Sequence, residues 1–131
     1  MSLTRNGVFV ARCLVLSFAL LGSVSSAPFE VAADDMRDIE DTFKSLDSNV
    51  SLKDPKAAAE AQELVAYFKK VEGFYAAKPE TADAVGFARK THTLAAELAQ
   101  SVQARNFDAA VDTVGQLTRS CKACHDVYKQ Q

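Results

Sequence analysis

This sequence predicts an all-α fold, a four-helix bundle of antiparallel up-down-up-down topology, and three observations predict it. From residue 28 onward the apolar residues recur every three to four positions, and no stretch alternates as a half-buried strand does. Recognisable start and stop residues divide that pattern into four segments. The connections between segments are short, which makes sequential helices antiparallel neighbours.

In the first segment Met36, Ile39, Phe43, Leu46 and Val50 follow 3-4-3-4 spacing, a single inward stripe. Asp34, Asp35 and Asp38 lie in its opening turns, where carboxylates complement the helix dipole. The second segment starts with Asp54 as N-cap and Pro55 at the first helical position, where the missing N–H does no harm. Its inward residues are Ala61, Leu64, Val65, Phe68, Val71 and Tyr75. Pro79 interrupts the pattern, and a third helix is expected from about Thr81 to Ala104. Ala84, Phe87, Ala88, Thr91, Leu94, Ala95, Leu98 and Val102 face inward there, and Gly86 costs about 1 kcal/mol relative to Ala. Asn106 caps the fourth helix, whose stripe reads Phe107, Ala110, Val111, Val114, Leu117, Cys121, Cys124 and Tyr128.

Residues 1–27 describe a cleavable export signal: Arg5 and Arg12, an apolar run from Cys13 to Leu21, then small residues from Ser23 to Ala27. That run is too short to span a bilayer. Residues 28–131 make one domain. Its 13 basic side chains are outnumbered by 17 acidic ones, so nucleic acid is not expected as a partner. Of three cysteines, Cys13 belongs to the signal and the other two stand near the end, leaving none for a disulfide framework.

Those two lie in Cys121-Lys122-Ala123-Cys124-His125, the attachment signature of a c-type haem. Each thiol adds across one vinyl group, and the adjacent imidazole reaches the iron. On a helix the three side chains are three and four positions apart and turn to one side. A thioredoxin-like dithiol needs a βαβ context that is absent. Zinc would need His92 as a fourth ligand, far off in sequence, and a disulfide is awkward within one helical turn. The stripe from Val114 and Leu117 runs directly into Cys121 and Cys124, so motif and periodicity agree on one place.

In this topology the start of the first helix and the end of the fourth share one end of the bundle, which brings Met36 beside His125. A thioether is a known partner for haem iron opposite histidine. The plainer reading of Met36 is a filler of an irregular core gap. His92 lies roughly 16 Å along the third helix, too deep to reach the iron. It reads as a structural, hydrogen-bonded histidine.

The C-terminal CKACH, the four-helix pattern and the export signal together resemble the class II c-type cytochromes, the group of cytochrome c′ and its low-spin relatives, over essentially the whole chain from residue 28. The segment Met36-Arg37-Asp38-Ile39-Glu40-Asp41-Thr42-Phe43-Lys44 is also similar to the opening helix of the soluble haem-b four-helix cytochrome of the bacterial periplasm, whose axial methionine falls at Met36. The resemblance implies one covalently bound haem c, His125 as proximal ligand, and Met36 as distal ligand in the six-coordinate branch. In the cytochrome c′ branch that position often carries Leu or another bulky side chain and the iron is five-coordinate. Relatives in this family often dimerise through their first two helices, which makes a homodimer one candidate assembly.

The expected function is electron transfer in the bacterial periplasm, with redox proteins as partners and no enzymatic activity. The alternative, with Met36 only shielding an open iron face, is binding of nitric oxide or carbon monoxide. Peroxide reduction has no distal His–Arg pair to support it. Arg119, Lys122 and Lys129 are candidates for docking an acidic redox partner or for pairing with a haem propionate, against the plainer reading as cations matched to a helix C-terminus.

Overall fold

The computed structural model describes residues 31 and 33–128, apart from the side chains of Ala33 and Pro79. The expected export signal and Lys129 lie outside the described residues. Four helices run α1 (Ala33–Ser51), α2 (Lys56–Ala76), α3 (Ala82–Gln103) and α4 (Phe107–Tyr128), with one turn of 3-10 helix at Pro79–Thr81 before α3. Among the described residues there is no strand. None of their helices is long and apolar enough to cross a membrane.

Each helix packs on its sequence neighbours, and α1 closes the ring against α4. Cross-helix bonds give the directions. Ser45 Oγ and Asn49 Nδ2, late in α1, donate to Glu60, early in α2, at 2.7 and 2.8 Å. Glu72, late in α2, accepts from Arg89 Nε in α3 at 3.0 Å. Tyr128, at the end of α4, stacks edge-on with Phe87 near the start of α3. All four neighbours are therefore antiparallel, and the bundle is up-down-up-down.

The turns at the far end, between α1 and α2 and between α3 and α4, use one device twice. Lys53 and Arg105 take left-handed backbone angles, φ 55° and 57°. The next amide in each case reaches back five residues, Asp54 to Asn49 and Asn106 to Ser101, closing a Schellman motif. That same residue then caps the following helix: Asp54 Oδ1 accepts from the Lys56 amide and Asn106 Oδ1 from the Ala109 amide. The expected cap roles of Asp54 and Asn106 are realised, although the regular part of α2 begins at Lys56, one residue after Pro55.

The core divides into a sealed half and a hollow half. Leu46, Leu64, Leu98 and Leu117, one from each helix, have no exposed surface, and burial of each contributes about 1.5–3 kcal/mol. Toward the near end, Met36 and Phe43 are only partly buried against this core. One residue of the expected α4 stripe is corrected. Val111 is 50% exposed, because it lies one step round from buried Ala110 while the second buried edge of α4 runs through Thr113, Leu117 and Ser120 toward α3.

Candidate functional site

The hollow half is a cavity of about 390 Å³ to which all four helices contribute. From α1 come Met36, Ile39, Glu40 and Phe43, spaced to share one helix face. Phe68, Val71 and Tyr75 of α2 and Ala88 and Thr91 of α3 form the opposite wall. From α4 come Thr118, Cys121, Lys122, Cys124 and His125. Exposed Glu40, Lys122 and His125 mark the mouth, along the seam of α1 and α4.

Both cysteines are half-buried and carry free thiols. Burial, with the neighbouring Cys124 adding to it, pushes the Cys121 thiol up to about 11. Burial also raises Cys124. Each sulfur therefore holds its proton at neutral pH, which makes the pair slow to oxidise. Met36 lies in the first turn of α1 and lines the same cavity as the CKACH side chains at the end of α4. The topology required by the sequence argument is present.

His92 is not among the lining residues. It sits on the seam of α2 and α3, its Nδ1 2.8 Å from Glu72 Oε2. Hydrogen bonds from His92 and Arg89 hold the Glu72 carboxyl below the usual range. A zinc site recruiting His92 to the two thiols is thus geometrically excluded.

The expected basic cluster splits. Lys122 is at the cavity mouth, paired with Asp126 at 2.6 Å, whereas Arg119 lines a separate groove of α3 and α4 with Lys90, Leu94 and Gln116. Three helical positions separate the two cations by about 60° of rotation, enough to send them to different seams.

At the near end Tyr75 stacks edge-on against Phe74, with ring centroids 5.1 Å apart, and tilts against Tyr128 at 6.2 Å. Burial raises the Tyr75 hydroxyl pKa. Of these rings Tyr75 lines the cavity and presents apolar, polarizable surface to it. Sequence reasoning placed Thr91 in the core but passed over its partner Ser120, which sits three residues after Leu117 on the α3-facing edge. A small polar residue at that spacing was the available signal.

No protein-family model, curated protein or solved structure matches this chain.

The donor set fits a c-type haem. Two free thiols one helical turn apart, an adjacent imidazole and the Met36 thioether of α1 line one largely apolar cavity. This is a soft sulfur and nitrogen set, and Glu40 is the one carboxylate among the described lining residues.

Proposed function

We propose that this chain is an exported electron carrier that holds one haem c through thioethers at Cys121 and Cys124, with His125 and Met36 as axial ligands. The observation that carries the reading is that Met36, from the opposite end of the sequence, lines the cavity shared by both thiols and the imidazole. Export follows from the signal-like residues 1–27.

The bound group supplies a one-electron ferric–ferrous couple. Everything else is done by the chain. Cys121 and Cys124 tether the group so that it is not lost in a compartment where it is hard to replace. His125 and Met36 would both hold the iron, and a site with two protein ligands would change little between oxidation states. The neutral Met36 sulfur favours the ferrous state and raises the potential. Ile39, Phe43, Phe68 and Val71 give the cavity an apolar wall, and such low-dielectric surroundings would disfavour the additional charge of ferric iron. Lys122 at the mouth offers a cation to an acidic redox partner once it leaves Asp126.

Among the described residues, the cavity lining holds one histidine and no arginine, which supports a carrier over peroxide chemistry. The test is production of the chain in cells equipped to attach c-type haem. Pigment should survive denaturing electrophoresis in the wild type and be lost in the Cys121→Ala, Cys124→Ala double variant. A chain purified without bound pigment contradicts the proposal.

A further inference from the structure

The core is apolar almost throughout, and among the described residues three polar side chains are buried in it: Thr91, Thr113 and Ser120. Thr113 serves its own helix, donating to the Ala109 carbonyl at 2.9 Å. Thr91 and Ser120 instead reach across from α3 to α4, their hydroxyl oxygens 2.7 Å apart. Hydrogen counting fixes the direction of this bond. Thr91 Oγ1 donates to the Phe87 carbonyl at 2.9 Å, and a carbonyl only accepts. The one Thr91 hydrogen is committed, so Ser120 donates to Thr91.

The pair sits where α4 has lost its other anchors. Leu117 is the last buried apolar residue of α4 and Ser120 its last buried residue of any kind. From Cys121 to Tyr128 the inner face of the helix is only half-buried. Hydrophobic contact is non-directional and sets how closely a helix packs better than how it is rotated. A hydroxyl bond weakens steeply off its axis and therefore holds rotation. At 3.6 residues per turn, Cys124 lies about 40° round the helix from Ser120, Cys121 about 100° and His125 about 140°. Holding Ser120 on α3 thus aims all three toward the cavity, whose wall includes Thr91 itself.

We propose that Thr91 and Ser120 are positioning residues for cofactor attachment: their bond sets the rotation of the last two turns of α4 so that Cys121 and Cys124 face the cavity together. This rests on the reading of the site as a haem c site. In attachment each thiol forms one carbon–sulfur bond and delivers its hydrogen to the other vinyl carbon, while the S–H bond and the vinyl π bond break. No oxidant or reductant is consumed. Two such additions succeed only when both sulfurs are presented at once, and a rotated helix end moves both by the same angle.

The test compares wild type with Thr91→Val, Ser120→Ala, Thr91→Ser and Thr113→Val, each produced in cells that attach c-type haem. Unreacted thiols are counted by alkylation and intact mass, and saturated vinyl groups by the absorption maximum of the reduced pigment in alkaline pyridine. Thr91→Val and Ser120→Ala should raise the share of chains retaining a free thiol several-fold. Ser120→Ala leaves no buried donor unpaired, so it reports on rotation without endangering the fold. Thr91→Ser keeps the hydroxyl and should behave as wild type. Thr113→Val removes an equally buried hydroxyl that crosses no seam, and should leave attachment complete. Complete attachment in Thr91→Val and Ser120→Ala, an equal defect in Thr113→Val, or a defect in Thr91→Ser overturns the assignment. A wild type without thioether-bound haem overturns the reading of the site, and this assignment with it.

Discussion

Replacing Glu72 with glutamine removes a charge that ties α2 to α3 behind the cavity. Its carboxylate accepts from Arg89 Nε at 3.0 Å and faces His92 Nδ1 at 2.8 Å. The two bonds are unequal. The Arg89 side chain is 67% exposed, so its pair is screened and contributes about 0.3 kcal/mol. His92 and Glu72 are 27% and 24% exposed, and this charge-assisted bond contributes about 1 kcal/mol. Glutamine keeps an acceptor for Arg89 and loses only the charge, so Glu72→Gln should destabilise the chain by about 0.5–1 kcal/mol near neutral pH, or roughly 2–8 °C in Tm for a domain of this size. The pH dependence is specific. Because the folded-state pKa of Glu72 is lowered, its contribution is complete above the ordinary carboxylate pKa and is lost as pH falls through the lowered one. Urea titrations followed by helical circular dichroism, repeated from neutral to acid pH, should show wild type and variant converging in acid. A variant as stable as wild type at neutral pH, or a gap that persists unchanged in acid, refutes the reasoning.

Met36→Ala should open one face of the iron, lower the potential and confer nitric oxide binding, measured by redox titration and by difference spectra. His125→Ala spares both thioethers, so pigment should remain attached while the native spectrum is lost; a retained native spectrum contradicts the proximal role. Arg105→Gly and Lys53→Gly relieve left-handed backbone angles at side chains that disfavour them, and each should stabilise the fold by about 0.5–1 kcal/mol in thermal or urea unfolding. With Cys121 pushed from 9.0 up to about 11, its alkylation in the folded chain lacking haem should run roughly 100-fold slower at mildly alkaline pH than in denaturant. The sign for stability is opposite to that of Glu72. The folded chain keeps a proton that the unfolded chain releases, so stability falls as pH rises from about 9 toward about 11.

How far the sequence carried this account depended on whether a feature was periodic or relational. The stripes Ile39, Leu46, Val50 and Ala61, Leu64, Phe68, Val71 are buried as spacing required, because helical period and burial are one geometric fact. Topology then followed from short connections, and it brought Met36 to the CKACH end. Val111 was misread because it continues the apolar count while standing at the edge of a narrow stripe. The pairs Glu72–His92 and Thr91–Ser120 join residues 20 and 29 positions apart. Pairing at that distance depends on the axial register of neighbouring helices, which no local pattern encodes. Arg119 and Lys122 looked like one patch in the linear sequence, and helical rotation divided them between two seams.

The central claim is that the Met36 sulfur and the His125 imidazole bind the same iron. Its most direct measurement is the absorption spectrum of the purified pigment in both oxidation states, recorded with and without nitric oxide. The account predicts a low-spin ferric spectrum with a methionine-to-iron charge-transfer band that Met36→Ala abolishes, and little response to the gas in the wild type. A high-spin ferric spectrum without that band, together with avid nitric oxide binding, would contradict it.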